Sequence, residues 1–276
     1  MNLPQTLRLE RPTPTVARIT FANPPANLLT PPTIDGLRTI IMDLEQDSAI
    51  QVVVFQTDSA DFFFNHFDVA TAGDLNLPAD PREAVAWTDM VLRLSKAPFV
   101  SIAVIRGRAR GGGNELALSC DLRYASLENA SFGQPEVGIG IVPGGGGAER
   151  LPRMIGRDRA FEAILSSADY DAVTAERWGW VTRALPDSEL DGFVDSMVGR
   201  LASFDRQALA VAKSMINRAT LPPDADLITA FREFMGTLTH PGFAERAGAL
   251  GALLAEHGME VEMRLGDFLA DVNRPR

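Results

Sequence analysis

Two glutamates carry the strongest chemical signal in this chain. Three consecutive glycines, Gly111 to Gly113, lead into Asn114-Glu115-Leu116-Ala117-Leu118-Ser119-Cys120. The second glutamate, Glu136, follows 21 residues later in Gly133-Gln134-Pro135-Glu136. A strand feeding a glycine turn that opens a helix leaves the first N–H groups of that helix unpaired. With no Cβ in the way, a substrate can sit directly against them. The partial positive charge at that helix end suits an oxygen that becomes negative. An oxyanion site beside two carboxylates is a centre for enolate chemistry. Taken singly the parts are bland. A glycine triplet is often only a turn, and a lone Glu in a first helical turn is more often a solvated dipole partner. Their combination points to catalysis.

The elements that must position these residues can be read from apolar spacing. Phe99 to Ile105 is an apolar run that reads as a buried strand feeding the glycine turn. Upstream, Val16 to Phe21 reads as a strand, stopped by Asn23-Pro24-Pro25-Ala26-Asn27 because proline cannot continue a ladder. Thr33 to Glu45 has helical spacing, and Ile50 to Phe55 is a second strand. Strand, helix, strand predicts a sheet with crossover helices, hence an α/β fold. Residues 72 to 83 carry chain breakers and read as a loop. Ala84 to Leu94, Arg157 to Ser166 and Asp205 to Ala219 read as helices. From Pro222 onward the pattern is helical, and the acidic stretch Glu256 to Asp271 reads as a solvated or subunit-contact helix rather than a ligand site.

Composition narrows the function classes. The chain has 276 residues, 46% hydrophobic and 22% charged, ordinary for a soluble globular protein. A net charge of −10 argues against a nucleic-acid surface, which needs a basic face. Cys120 is the single cysteine, so no internal disulfide forms. The three histidines, His66, His240 and His257, lack metal-ligand spacing, so no metal is expected. No 18-residue apolar run and no signal-peptide pattern exist, which makes a cytoplasmic enzyme without membrane partners the default. Pro143-Gly144-Gly145-Gly146-Gly147 lacks the Lys-Ser/Thr of a phosphate loop, and no GxGxxG joins a strand to a helix.

Gly111-Gly112-Gly113-Asn114-Glu115-Leu116-Ala117, Cys120-Asp121-Leu122-Arg123-Tyr124-Ala125, Phe132-Gly133-Gln134-Pro135-Glu136, Pro143-Gly144-Gly145-Gly146-Gly147 and Arg150-Leu151-Pro152 follow one another at fixed spacing. Together they resemble the crotonase family, the enoyl-CoA hydratases and isomerases, from about residue 15 to about residue 220. The resemblance implies a crotonase-like core of ββα repeats wound in a spiral over residues 1–205. A C-terminal helical region, 206–276, would serve trimerisation or act as a lid.

The same resemblance implies an acyl-CoA thioester substrate, with coenzyme A as part of the substrate and no permanently bound cofactor. It implies a homotrimer or a dimer of trimers. Glu115 and Glu136 would flank the catalytic water. Isomerases of the family generally keep only the later acid, so both acids together favour hydration of a 2-enoyl-CoA. The alternatives are another enolate reaction on the same scaffold, or a non-catalytic acyl-CoA binder. Gly112 is assigned as one oxyanion donor and Asn65 as the other. Asn65 lies in the loop Asn65-His66-Phe67-Asp68, where relatives carry small residue, glycine, small residue, Asp. Asn27, in a loop like the family's Pro-x-Asn, and His66, Asp68, Gly111, Pro135 and Gly144 are assigned to the substrate. His66 reads equally as an added acid or base, a hydrogen-bonding spacer or a packed side chain. Arg106, Arg108 and Arg110 read as surface or subunit-contact charges rather than coenzyme phosphate contacts. Phe231, Phe234 and Phe243 are candidates for an aromatic closing over the coenzyme.

Overall fold

A computed structural model describes residues 3–274. Two sheets organise it. The larger has six strands in the order β1 (Leu7–Thr13), β2 (Val16–Phe21), β3 (Val52–Thr57), β4 (Val100–Ile105), β6 (Leu122–Ser126) and β9 (Arg183–Leu185). The smaller has three: β5 (Arg108–Arg110), β7 (Ser131–Gly133) and β8 (Asp169–Asp171). β4 enters the large sheet and β5 the small one, followed by helix α3 (Gly112–Ser119). β6 and β7 repeat the move, so these two turns of the spiral each place one strand in each sheet. This is the ββα spiral of the crotonase fold.

Only the β1–β2 pair in the large sheet is antiparallel. Parallel strands are covered on both faces and so read as unbroken apolar runs. Here Val53, Phe55, Ala103 and Ile105 face the main core, while Val52, Val54, Ile102 and Val104 face a second cluster. The main core is capped by α1 (Pro31–Gln46) and α2 (Ala86–Lys96) through Ile34, Leu37, Ile41, Val91 and Leu94. The second cluster is capped by a helix spanning Asp187–Ala202, through Leu190, Val194 and Val198. The alternation is the period-two rule acting on each strand. The predicted strands and helices fall where the spacing places them, shifted by one or two residues at their ends. The opening strand β1 carries Arg8, Glu10 and Arg11 among its apolar residues and gives no clean period.

Cys120 closes α3 and is buried. Burial and the neighbouring Asp121 charge push its thiol up to about 12.

The helices after residue 205 pack onto this frame. Buried Lys213 donates to the carbonyls of Leu94 and Phe99 and to Asp121, and Leu227 joins the main core. The last three helices span Pro241–His257, Met259–Met263 and Leu265–Val272. The expectation of a solvated or subunit-contact helix over Glu256 to Asp271 is corrected. Val261, Leu265, Phe268 and Leu269 form a buried cluster, and Glu262 is 6% exposed. Apolar residues at i, i+4 and i+7, read against acidic neighbours, were the signal for that inner face.

Candidate active site

One cleft, about 1080 Å³ with its open mouth, runs between α2, the start of α3, the Pro135–Glu136 segment, Gly144–Gly145 and the C-terminal helices. Both predicted glutamates reach it, as do Gly112, His66, Pro135 and Gly144. Its remaining wall is apolar, with Leu29, Trp87, Ile141, Phe231, Phe234 and Leu269 among its residues. Among the described residues, no lysine or arginine lines it.

Gly111 turns the chain into α3 with φ 48°, a conformation that costs a side-chain-bearing residue energy. A Cβ there would lie 2.8 Å from Glu136 Oε1. The Gly111 N–H is held by the Gly133 carbonyl, and the Gly113 N–H by the Asn65 carbonyl. The Gly112 N–H between them has no intrahelical acceptor, being the first of the helix. Gly113 is required by contact: a Cβ there would overlap the Phe64 carbonyl. The glycine triplet thus brings the 64–67 loop hard against α3.

The loop N–H that faces the cleft is that of Phe67, not Asn65. The Asn65 N–H is engaged by the Asn27 carbonyl at 3.1 Å. Leu29 pairs with this loop as an isolated parallel bridge, donating to the His66 carbonyl and accepting from the Asp68 N–H. In a parallel pair successive N–H groups alternate sides. The Phe67 N–H therefore turns away from Leu29, and its nitrogen lies 3.7 Å from where a Gly112 side chain would begin. The Phe67 and Gly112 amides form the two-donor cradle.

Glu115 is fixed by one oxygen. Its Oε1 accepts the Gly145 N–H at 2.8 Å and the Gly147 N–H at 3.0 Å. Gly145 carries no side chain because a Cβ there would overlap Glu115 Oε2 and the Trp87 indole nitrogen. Burial pushes the Glu115 carboxyl up to about 7, against the pull of those two amides. Glu136 is also pushed well above the ordinary carboxylate range, through burial and the nearby Glu115 charge. Its orientation follows from a chain of buried hydrogen bonds. The Trp180 indole can only donate, and it donates to Asn114 Oδ1 at 2.8 Å. Asn114 must then donate to Gln134 Oε1, and Gln134 to Glu136 Oε1 at 3.2 Å. Glu136 Oε2 is buried with no partner among the described residues.

Asn27 and Asp68 are not in the cleft wall. Asn27 is buried with φ 54°, and its amide clamps Thr57 and the Phe63 carbonyl, tying the loops behind the site together. Asp68 caps the short helix Val69–Asp74 by accepting the Ala70 N–H. The three arginines have structural partners in place of phosphates. Arg106 pairs with Asp187 and Asp191, Arg108 donates to the Met263 carbonyl, and buried Arg110 pairs with Asp169. Phe231 and Phe234 line the cleft, and Gly144 leaves room for the Phe234 ring. Trp87, Trp180, Phe67 and Glu262 escaped the sequence reading, since each acts through contacts distant along the chain.

Among the described residues, no three His, Cys, Asp or Glu side chains gather as a metal site, and no helix is long and apolar enough to cross a membrane.

A crotonase spiral carrying paired amides and paired carboxylates in one apolar cleft defines the class of protein. A family profile described as enoyl-CoA hydratase/isomerase matches residues 12–241, and the chain belongs to that family. The short-chain-enoyl-CoA hydratase of Clostridium acetobutylicum is 33% identical over 217 residues, 78% of this chain and 82% of that protein. The crotonyl-CoA hydratase of Syntrophomonas wolfei is 34% identical over 192 residues, 69% of this chain and 73% of that protein. A crystal structure of a candidate enoyl-CoA hydratase from Streptomyces avermitilis superimposes with a TM-score of 0.89 at 39% identity, covering 100% of this chain and 99% of that one.

Proposed function

We propose that this protein is an enoyl-CoA hydratase, adding water across the 2,3 double bond of an acyl-CoA thioester. One observation carries the reading. The carboxyls of Glu115 and Glu136 share an apolar cleft with the amides of Gly112 and Phe67, which have no backbone partner among the described residues.

The amides donate to the thioester oxygen, which gains negative charge when water attacks C3. A donor of this kind is worth about 3–4 kcal/mol in the transition state. The ionised carboxyl takes the proton of the attacking water, and the neutral one gives a proton to C2. Two amides favour ionised Glu115, whereas Glu136 has only one amide donor and a desolvated second oxygen. Glu115 is therefore the base and Glu136 the acid. One water adds to the double bond, and the proton left on Glu115 returns through solvent to Glu136 before the next turnover. The assembly is proposed to be a homotrimer or a dimer of trimers, supported by exposed apolar side chains at Phe161, Leu165, Met215 and Ile216.

The test is a panel of 2-enoyl-CoA and 3-enoyl-CoA thioesters with the products identified by mass spectrometry. The expected product is a 3-hydroxyacyl-CoA from the 2-enoyl members. Interconversion of the double-bond isomers without water uptake overturns the reading.

A further inference from the structure

Besides the two carboxyls, His66 is the ionisable group of the cleft wall that stands next to the amide cradle. Its ring is tied at both nitrogens. Nδ1 lies 3.0 Å from the Phe67 carbonyl and Nε2 lies 3.1 Å from Glu262 Oε2. A carbonyl oxygen only accepts, so Nδ1 carries a hydrogen. The same Glu262 oxygen accepts the Asn65 side-chain amide at 3.1 Å. Glu262 comes from the Met259–Met263 helix, and its main-chain carbonyl accepts from the Arg110 guanidinium. Two elements present charges to the ring, Glu262 from that helix and Arg110 from β5, while the neutral Glu136 carboxyl stands beside Gly111. Burial alone works against a charged His66, but the Glu262 carboxylate and the Phe67 carbonyl outweigh it and hold the imidazole above its ordinary pKa. Glu262 is held below the ordinary carboxylate range; its burial is outweighed by His66, Asn65 and Arg110.

The loop needs such a hold. It contains no glycine, and its Phe67 N–H must still face the cleft rather than the core. Its backbone is pinned from one side by Leu29 and Asn27. The side chains of the two residues before Phe67 converge on one carboxylate from the far end of the chain. Glu262 itself does not line the cleft, so it acts through the loop.

We propose that Glu262 is a positioning residue: its carboxylate fixes Asn65 and His66 so that the Phe67 amide points at the reacting oxygen. The docked C-terminal helices are thereby part of the oxyanion site. This rests on the hydratase reading for its kinetic readout alone.

The test uses the full chain with Glu262→Gln, Glu262→Ala, His66→Ala and the double variant Glu262→Ala/His66→Ala. The three histidines of the chain make the His66 ring signal assignable by NMR. Expected is a fall in kcat of about 10- to 100-fold for Glu262→Ala, with KM nearly unchanged, because a displaced donor costs that much. Glu262→Gln keeps an acceptor without the charge, loses less activity and lowers the His66 pKa. The double variant is no slower than the slower single one, since both act on one loop. Single effects that multiply, or a His66 titration unmoved by Glu262→Gln, overturn the proposal. Should Glu262→Ala not fold, the near-isosteric Gln variant decides it by the titration. If the wild type hydrates no enoyl thioester, the hydratase reading fails while the titration still decides whether the pair holds the loop.

Discussion

The two halves of the amide cradle reach the same point by different routes. The α3 half is built locally: Gly111 turns the chain, Gly112 offers its N–H, and Gly113 lets the loop come close. Each step follows from three adjacent residues. The loop half is built from outside. Its backbone is set by Leu29 and Asn27, its side chains by Glu262, and its distance from α3 by the missing Gly113 side chain. A local device is robust to changes elsewhere, whereas one assembled from distant partners can be undone from any of them.

The largest expected effect lies on the chemistry that both halves serve. Glu136→Gln and Glu115→Gln should each lower kcat by about 10²–10⁴-fold, the range of general acid–base work. Activity needs one carboxyl ionised and the other protonated, so the wild-type pH profile rises on a limb near 7 and falls again at higher pH. Both carboxyls sit above their unfolded values, so their neutral forms are favoured by folding. The Glu115 contribution is fully present below the ordinary carboxylate range and is lost as pH rises through about 7. Glu115→Gln should therefore gain stability relative to wild type between pH 5 and pH 8. Kinetic pH profiles and urea melts at the two pH values check this.

Next comes the spacing between the halves. Gly113→Ala should cost about 3 kcal/mol or more in urea unfolding, because its methyl group overlaps a backbone carbonyl that has no free side-chain rotation to yield. A mild cost with normal activity would mean that the loop moves freely against α3, and the contrast between the halves would dissolve. The smallest effect is expected at Asp68. Asp68→Ala removes a cap worth about 1 kcal/mol on the loop side and leaves kcat intact. A large kcat loss there would bring the cap into the cleft.

The same contrast explains what could be read in advance. The meeting of Glu115, Glu136 and Gly112 in one cleft was legible because it depends on neighbours within a turn of chain or on a recurring motif. The strands were legible because burial on both faces leaves apolar runs. Asn65 was chosen where the Phe67 N–H faces the cleft, because the sequence does not say which N–H of an irregular loop points outward; the Leu29 bridge decides that. Glu262 was passed over because its acidic surroundings read as solvated, while its partners His66 and Asn65 lie 196 and 197 residues away. Trp180 and Gln134 orient Glu136 by a sequence of donors and acceptors that exists only once the helices pack.

Cys120 sits at the end of α3, the helix that carries both Gly112 and Glu115, and it is the only thiol in the chain. Enclosed and held protonated, it is shielded from alkylating reagents while that helix stays in place. Reaction with a maleimide or a disulfide dye then clocks the opening of the catalytic helix, with no engineered label required.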